Sequence, residues 1–177
     1  MSLIEITESS YNIVIDMRYA TLNNFTNNII YSNSRCFLHP HALSALEKSI
    51  ALAGQLGYRL KILDAYRPQA AQEKLWDICP DPTYIAPPTR GSNHTRGIAV
   101  DLTLIDQQGE ELDMGTPFDS FLEASHHGTF VLSPEACRNR YLLLGIMMSA
   151  GWDCYMNEWW HYQLFKPNDY PLIVDFS

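Results

Sequence analysis

The chain has 177 residues with the hydrophobic and charged proportions of one ordinary globular domain, long enough to bury roughly 70% of its unfolded surface without help from a disulfide or a metal. Its formal net charge of -8 and lack of any basic stripe exclude a nucleic-acid partner and otherwise read as solubility.

Taken in chain order, the first residues hold neither a basic n-region nor an apolar h-region, and no apolar run is long enough to span a bilayer. The expectation is a cytoplasmic protein with no membrane partner. Residues 12–20, rich in β-branched side chains, predict an early strand, and the Asn-rich stretch 23–28 a loop. From Pro40 to Gln55, Leu43, Leu46, Ile50 and Ala53 recur at helical spacing, with Gly57 where such a helix stops. A strand over 58–65 comes next, and Pro68 then suits the first turn of a helix running through Trp76. Residues 78–93 carry four prolines and no periodicity, which predicts a long ordered loop of the kind that carries function. A strand is expected over 97–105, with residues 106–109 as its hairpin turn. Ser133 as N-cap, Pro134 at the first helical position and Glu135 in the first turn open a helix through Met148, closed by Gly151. A last strand is expected over 159–165. Cys36, Cys79, Cys137 and Cys154 form no close pair and read as mostly buried free thiols, which fits a reducing compartment, although two long-range disulfides stay open. Strands mixed with helices, and a hairpin among them, predict a single α+β domain over residues 1–177. Its central mixed or antiparallel sheet is flanked by helices and carries a metal site.

The segment 92–101 is where chemistry concentrates. Ile98, Val100, Leu102 and Leu104 alternate onto one face of the predicted strand, which places Asp101 on the other face between the small residues Ala99 and Thr103. His94 lies just before that strand, and Gly97 allows the chain to turn its imidazole towards Asp101. A second segment holds Glu158 and His161, which would point to opposite sides of a regular strand. To share one site with His161, Glu158 has to sit at a bend before the strand. Two histidines and an aspartate form an N/O ligand set. A catalytic zinc takes three such ligands and leaves a fourth position for water, whose pKa it lowers to about 7. The same set also serves non-haem iron oxygenases, so ligand types alone do not name the metal. Glu158, beside a ligand without being needed as one, suits a general base and acid and tilts the reading towards hydrolysis. His39, His41, His126 and His127 read as surface or hydrogen-bonded core residues.

Together, Ser92, His94, Gly97, Ala99 and Asp101, then Glu158, Trp160 and His161, resemble the motif pair of the zinc D-alanyl-D-alanine dipeptidases, including those associated with vancomycin resistance. Residues 16–21 with Asn24 and Phe25, residues 64–68 and residues 114–119 also look like family segments, so the resemblance runs in order from about residue 11 to 166. It implies one zinc ion per chain on His94, Asp101 and His161, with Glu158 as general base and acid. It further implies Arg67 as the group that stabilises the tetrahedral intermediate, a role that suits a permanently charged planar fork at a strand end. The other reading of Arg67 is an ion pair with Asp64 or another surface acid.

The implied substrate is a small D-amino-acid dipeptide, D-alanyl-D-alanine, cut to free D-alanine. Its ammonium needs an acid, for which Asp119 is the candidate, helped by the Ser92 hydroxyl, with Tyr19 lining the same pocket. Asp119 otherwise caps a helix at 119–124, and Tyr19 otherwise packs in the core. Trp159, Trp160 and Tyr162 read as packing that buttresses the ligands. Two rival functions stay open: a zinc D,D-carboxypeptidase or endopeptidase acting on cell-wall peptides, and a metal-binding module without catalysis.

Overall fold

A computed structural model describes residues 2–173. Its strands are β1 (Ile4–Ile6), β2 (Ile13–Ile15), β3 (Cys36–Leu38), β4 (Arg59–Asp64), β5 (Ala99–Ile105), β6 (Asp153–Cys154) and β7 (His161–Gln163), and its helices are α1 (Pro40–Gln55), α2 (Gln69–Ile78) and α3 (Pro134–Ala150). The fold is α+β. A mixed five-stranded sheet runs in the order β2-β4-β5-β7-β6, and β1 pairs with β3 in a small antiparallel sheet. Only β2 and β4 are parallel within the larger sheet, joined by the crossover that contains β3 and α1.

Strand β5 is the spine of the sheet, and every one of its residues is buried. Val100, Leu102 and Leu104 enter the main apolar core, while Ala99, Asp101 and Thr103 occupy the opposite face. The core face is closed by α1, which buries Ala42, Leu43, Ala45, Leu46, Ser49 and Ala53 at helical spacing and packs against α3. Each such leucine contributes about 1.5–3 kcal/mol through removal from water. Trp152 ties the two helices by donating its indole N–H to Ser49 Oγ at 3.1 Å.

Helix ends obey local chemistry. His39 Nδ1 accepts the His41 N–H ahead of α1, and Ser133 Oγ accepts the Ala136 N–H at 3.0 Å ahead of α3. Gly151 closes α3 at a φ of 102°, a left-handed conformation that glycine adopts without strain. The expected strand over 12–20 is shorter than its β-branched content suggested. Only Ile13–Ile15 pairs, and Arg18–Ala20 tightens into a 3-10 turn whose Tyr19 carbonyl accepts the N–H groups of both Ile30 and Tyr31. Pro68 caps α2 rather than opening it, and the helix extends past Trp76 to Ile78. Strand β5 begins two residues later than expected, because Gly97 is still in the turn. Helix α3 runs two residues past Met148, to Ala150. The expected strand over 159–165 contracts to His161–Gln163, since Trp159 and Trp160 belong to the preceding turn.

The β4–β5 pairing contains a bulge. Ile62 faces Leu102, but the next paired residue is Asp64, facing Asp101, so Leu63 is the extra residue. The bulge moves Asp64 onto the face that carries Asp101. All four cysteines are free thiols. No helix among the described residues is long and apolar enough to cross a membrane.

Candidate active site

Asp101 and His161 stand directly opposite each other on the antiparallel strands β5 and β7, which puts both side chains on one face at short range. Asp101 Oδ1 lies 2.9 Å from His161 Nδ1 and 3.4 Å from His94 Nε2. The two imidazole nitrogens are 3.2 Å apart. His94 is delivered by the turn before β5. Gly97 sits at a φ of 70°, and a side chain there would approach Leu3 Cδ2 to 2.5 Å and the His39 backbone nitrogen to 3.3 Å. A substitution at Gly97 would therefore displace the turn that presents His94.

Hydrogen bonding decides what these nitrogens offer. His94 Nδ1 donates to the Ala65 carbonyl at 2.7 Å, and His161 Nε2 donates to Gln163 Oε1 at 3.1 Å. With each ring proton used outward, the lone pairs of His94 Nε2 and His161 Nδ1 face the same point as a carboxylate oxygen. Three buried acceptors thus converge, all within 4.8 Å of one another, with no donor between them. That arrangement fits a single cation, and its ring partners are the kind that orient metal-binding histidines. Burial works to raise the Asp101 carboxyl, but a positive charge at this point, here a proton on the His94 and His161 rings, holds it well below the usual carboxylate range.

Glu158 lies in the turn ahead of β7, where its N–H binds the Tyr155 carbonyl and its own carbonyl receives the His161 N–H. The bend required for Glu158 and His161 to share a site is therefore present, and Glu158 Oε2 sits 3.8 Å from His161 Nδ1. Burial pushes the Glu158 carboxyl up to about 8, with His161 opposing and Asp101 and Asp119 reinforcing the rise.

Arg67 is buried at the end of β4, and its partners are not surface groups. Asp64, fully buried, accepts Arg67 Nε at 3.1 Å and Nη2 at 2.7 Å through Oδ2. Asp64 Oδ1 accepts the Tyr31 hydroxyl at 2.6 Å and the Ala65 N–H at 2.9 Å. Gln72 accepts Arg67 Nη1 at 3.0 Å and donates to the Ala86 carbonyl, which couples α2 to the proline-rich loop. Burial works against the guanidinium charge, yet Asp64 and its neighbours hold the Arg67 pKa well above the usual value. Both Asp64 and Arg67 are thus locked, and two guanidinium N–H groups stay available to a ligand.

Arg67, His94, Asp101, Glu158 and His161 line a cleft of about 470 Å³. The predicted long loop supplies one wall through Pro82, Tyr84 and Ile85, and Phe121 supplies another. Tyr84 and Phe121 stack at 4.7 Å between ring centroids, joining the two walls, and the Tyr155 hydroxyl binds the Thr83 carbonyl at 2.7 Å. Asp119 and Ser92 face the cleft. Asp119 caps no helix: it adopts a φ of 59°, the nearby 3-10 turn Glu123–Ser125 starts after Leu122, and its buried Oδ2 has no partner. Burial, then the Asp101 charge, raise the Asp119 carboxyl well above the usual range, with Tyr19 and Arg67 opposing. Ser92 Oγ accepts the His94 N–H at 3.2 Å, which leaves its own proton free to donate. Tyr19 combines both readings of it: the ring packs against Tyr31 and Phe118, the Arg67 guanidinium lies 5.1 Å from its centroid, and the residue lines the cleft.

Sequence reasoning missed Gln163 and underrated Asp64. Gln163 had a legible signal, since it stands two residues after His161 and so shares its strand face. Asp64 was legible as an ion-pair partner of Arg67 and as part of the segment 64–68, but not as a buried group on the face of the site, which depends on the bulge. Trp160 packs edge-on against Phe118 and also lines the cleft, while Trp159 donates to Thr116 Oγ1 at 2.9 Å.

Comparison with known proteins shows the family. Residues 2–172 match the family described as D-ala-D-ala dipeptidase. The D-alanyl-D-alanine dipeptidase of Escherichia coli strain K12 is 48% identical over 161 residues, covering 91% of this chain and 83% of that protein. The protein of the same name from Enterococcus faecium is 33% identical, covering 88% of this chain and 87% of its own length. A solved zinc-bound D,D-pentapeptidase from a vancomycin-resistance cassette aligns at a TM-score of 0.49 with 17% identity over 78% of each chain, too distant to support any reading. On a match spanning nearly all its residues, and on close relatives covered along most of their length, this chain belongs to the D-Ala-D-Ala dipeptidase family.

Proposed function

We propose that this protein hydrolyses the dipeptide D-alanyl-D-alanine to two molecules of D-alanine, with one zinc ion per chain held by His94, Asp101 and His161. The observation that carries the reading is the convergence of three acceptor atoms, a carboxylate oxygen and two ring nitrogens whose rings hold their protons outward, beside Glu158 and Arg67 in one cleft. The bound metal supplies Lewis acidity and lowers the pKa of water.

The chain's own groups do the rest. Glu158 takes a proton from the attacking water and returns it to the leaving amine nitrogen as the C–N bond breaks. A carboxyl raised by burial suits both halves of that transfer near neutral pH. Arg67, fixed by Asp64 and Gln72, donates to the oxyanion that develops on the scissile carbonyl, and a donor of that kind is worth ~100- to 1,000-fold in rate. Asp119 receives the substrate ammonium through its unpaired buried oxygen, with Ser92 and Tyr19 completing that end of the pocket.

The joined walls at Tyr84 and Phe121 favour a small substrate over a cell-wall peptide, and a metal site that only stabilised the fold would need neither Glu158 nor Arg67. Incubation with D-alanyl-D-alanine should release D-alanine, stop with a chelator and resume with added zinc. Glu158→Ala should reduce turnover about 100- to 10,000-fold while leaving about one metal per chain. Metal-loaded protein that ignores the dipeptide but trims murein-derived pentapeptides would replace this reading with the cell-wall one.

A further inference from the structure

A free dipeptide carries two charges, and Asp119 with its neighbours answers only the ammonium. The acidic side chains of the cleft, Asp101, Asp119 and Glu158, offer the substrate's own carboxylate no counter-charge, so a cation has to supply one. Three cations line the walls: Arg67, Arg90 and Arg96. Two are committed. Arg67 is bound to Asp64 and Gln72 with its remaining N–H groups assigned to the oxyanion, while Arg96 donates to the carbonyls of Tyr170 and Arg90. Among the described residues, the Arg90 guanidinium makes no ion pair or hydrogen bond.

The backbone beneath Arg90 is nevertheless fixed. Both the Arg90 and Gly91 N–H groups bind the Pro87 carbonyl, at 2.9 and 3.1 Å, and Gly91 turns at a φ of 78° against Leu172. An exposed, uncommitted guanidinium therefore stands on a rigid turn at the cleft mouth, one residue removed from the buried Ser92. The Arg90 charge is felt at Tyr155, a cleft-lining residue that also feels Glu158, so the guanidinium acts inside the same cleft as the proposed base. Two residues span at most about 7 Å, a length that a flexible arginine reaching inward from the rim can match.

Resting on the dipeptidase reading, we infer that Arg90 receives the terminal carboxylate of the substrate and sets the preference for a free over a blocked C-terminus. Planar, two-pronged donation to a carboxylate is what a guanidinium does better than an ammonium. Such a charge-assisted contact corresponds to about 10- to 100-fold in binding.

The test compares D-alanyl-D-alanine with its C-terminal amide on the zinc-loaded wild type, Arg90→Ala, Arg90→Lys and Arg138→Ala. Arg138 is an exposed arginine on α3 and controls for net charge. The wild type should prefer the acid, and Arg90→Ala should raise KM for the acid about 10- to 100-fold, with a much smaller change in kcat and little change for the amide. Arg90→Lys should restore part of the preference, and Arg138→Ala should leave it intact. The same pairs are titrated calorimetrically into Glu158→Gln protein with and without Arg90→Ala. A preference for the acid that depends on Arg90 in these titrations supports the inference even if the wild type fails to cleave the dipeptide, which would instead reject the dipeptidase reading. Equal binding of acid and amide before substitution, or a preference that survives Arg90→Ala, overturns the inference.

Discussion

Replacing Asp64 by asparagine conserves shape and removes a charge, and the hydrogen bonds around it set the cost. Four donors converge on this carboxylate, two on each oxygen: Tyr31 and Ala65 on Oδ1, and two guanidinium nitrogens of Arg67 on Oδ2. An amide offers only one oxygen. If its NH2 group faces Arg67, donors meet donors and a buried guanidinium is left unpaired, at about 3–5 kcal/mol. If it faces the other way, the Tyr31 hydroxyl can rotate to accept, but the Ala65 N–H is stranded at about 1–3 kcal/mol. Arg67 then also exchanges a charged partner for a neutral one, roughly another 1–2 kcal/mol. The less costly orientation therefore gives about 2–5 kcal/mol, or a fall of roughly 4–20 °C in Tm for a chain of this size. Turnover of D-alanyl-D-alanine should fall at least tenfold as well, because Arg67 loses its aim, with the loss bounded by the ~1,000-fold value of a whole oxyanion donor. Denaturant unfolding and steady-state kinetics on Asp64→Asn, with Tyr31→Phe as a companion, separate the two effects. The companion loses one hydrogen bond, about 1 kcal/mol, and keeps the Arg67 pair. An Asp64→Asn protein with wild-type Tm and kcat would show that Asp64 neither pairs with nor aims Arg67.

Gln163→Leu removes the acceptor of the His161 ring proton and should weaken zinc binding about 10- to 100-fold, read by competition with a chromophoric chelator; unchanged affinity would mean the second ring nitrogen needs no partner. Ser133→Ala should cost about 1 kcal/mol of stability in denaturant unfolding and leave KM alone, since neither Ser133 nor Ala136 lines the cleft. Burial, and then Arg140, push the His127 pKa down to about 4. The unfolded chain therefore takes up a proton below about pH 6.5 that the folded chain refuses until about pH 4, so stability drains across that window as pH falls. His127→Asn should flatten this part of the stability profile, and a slope identical to that of the wild type would assign the loss to other groups.

Local chemistry made much of the fold legible. Helix α1 has the bounds that its periodicity suggested, and the serine, proline and glycine around α3 punctuate it as those residue types do elsewhere. The alternation of Val100, Leu102 and Leu104 placed Asp101 off the core face because strand geometry leaves no other choice. What resisted reading was set by distant partners. Nothing between residues 12 and 20 announces that the Tyr19 carbonyl will be claimed by Ile30 and Tyr31, which ends the strand early. Trp159 and Trp160 have strand propensity, yet the turn that brings Glu158 back beside His161 takes precedence. The choice of Nδ1 on His161 and Nε2 on His94 as the inward atoms depends on Gln163 and a backbone carbonyl at Ala65, and the latter has no side-chain signature at all.

The extra residue at Leu63 couples function to folding. By realigning β4 it sets two aspartates face to face across adjacent strands, an arrangement that like charges resist. Each is tolerable only with its own counter-charge: Arg67 for Asp64, and two imidazoles with the ion they suit for Asp101. A lineage abandoning this chemistry could not erase it piecemeal, because any single neutralising step leaves an opposite charge stranded in the interior. Retained activity and retained solubility would then be under the same selection, and loss-of-function relatives should be found with these positions changed in pairs.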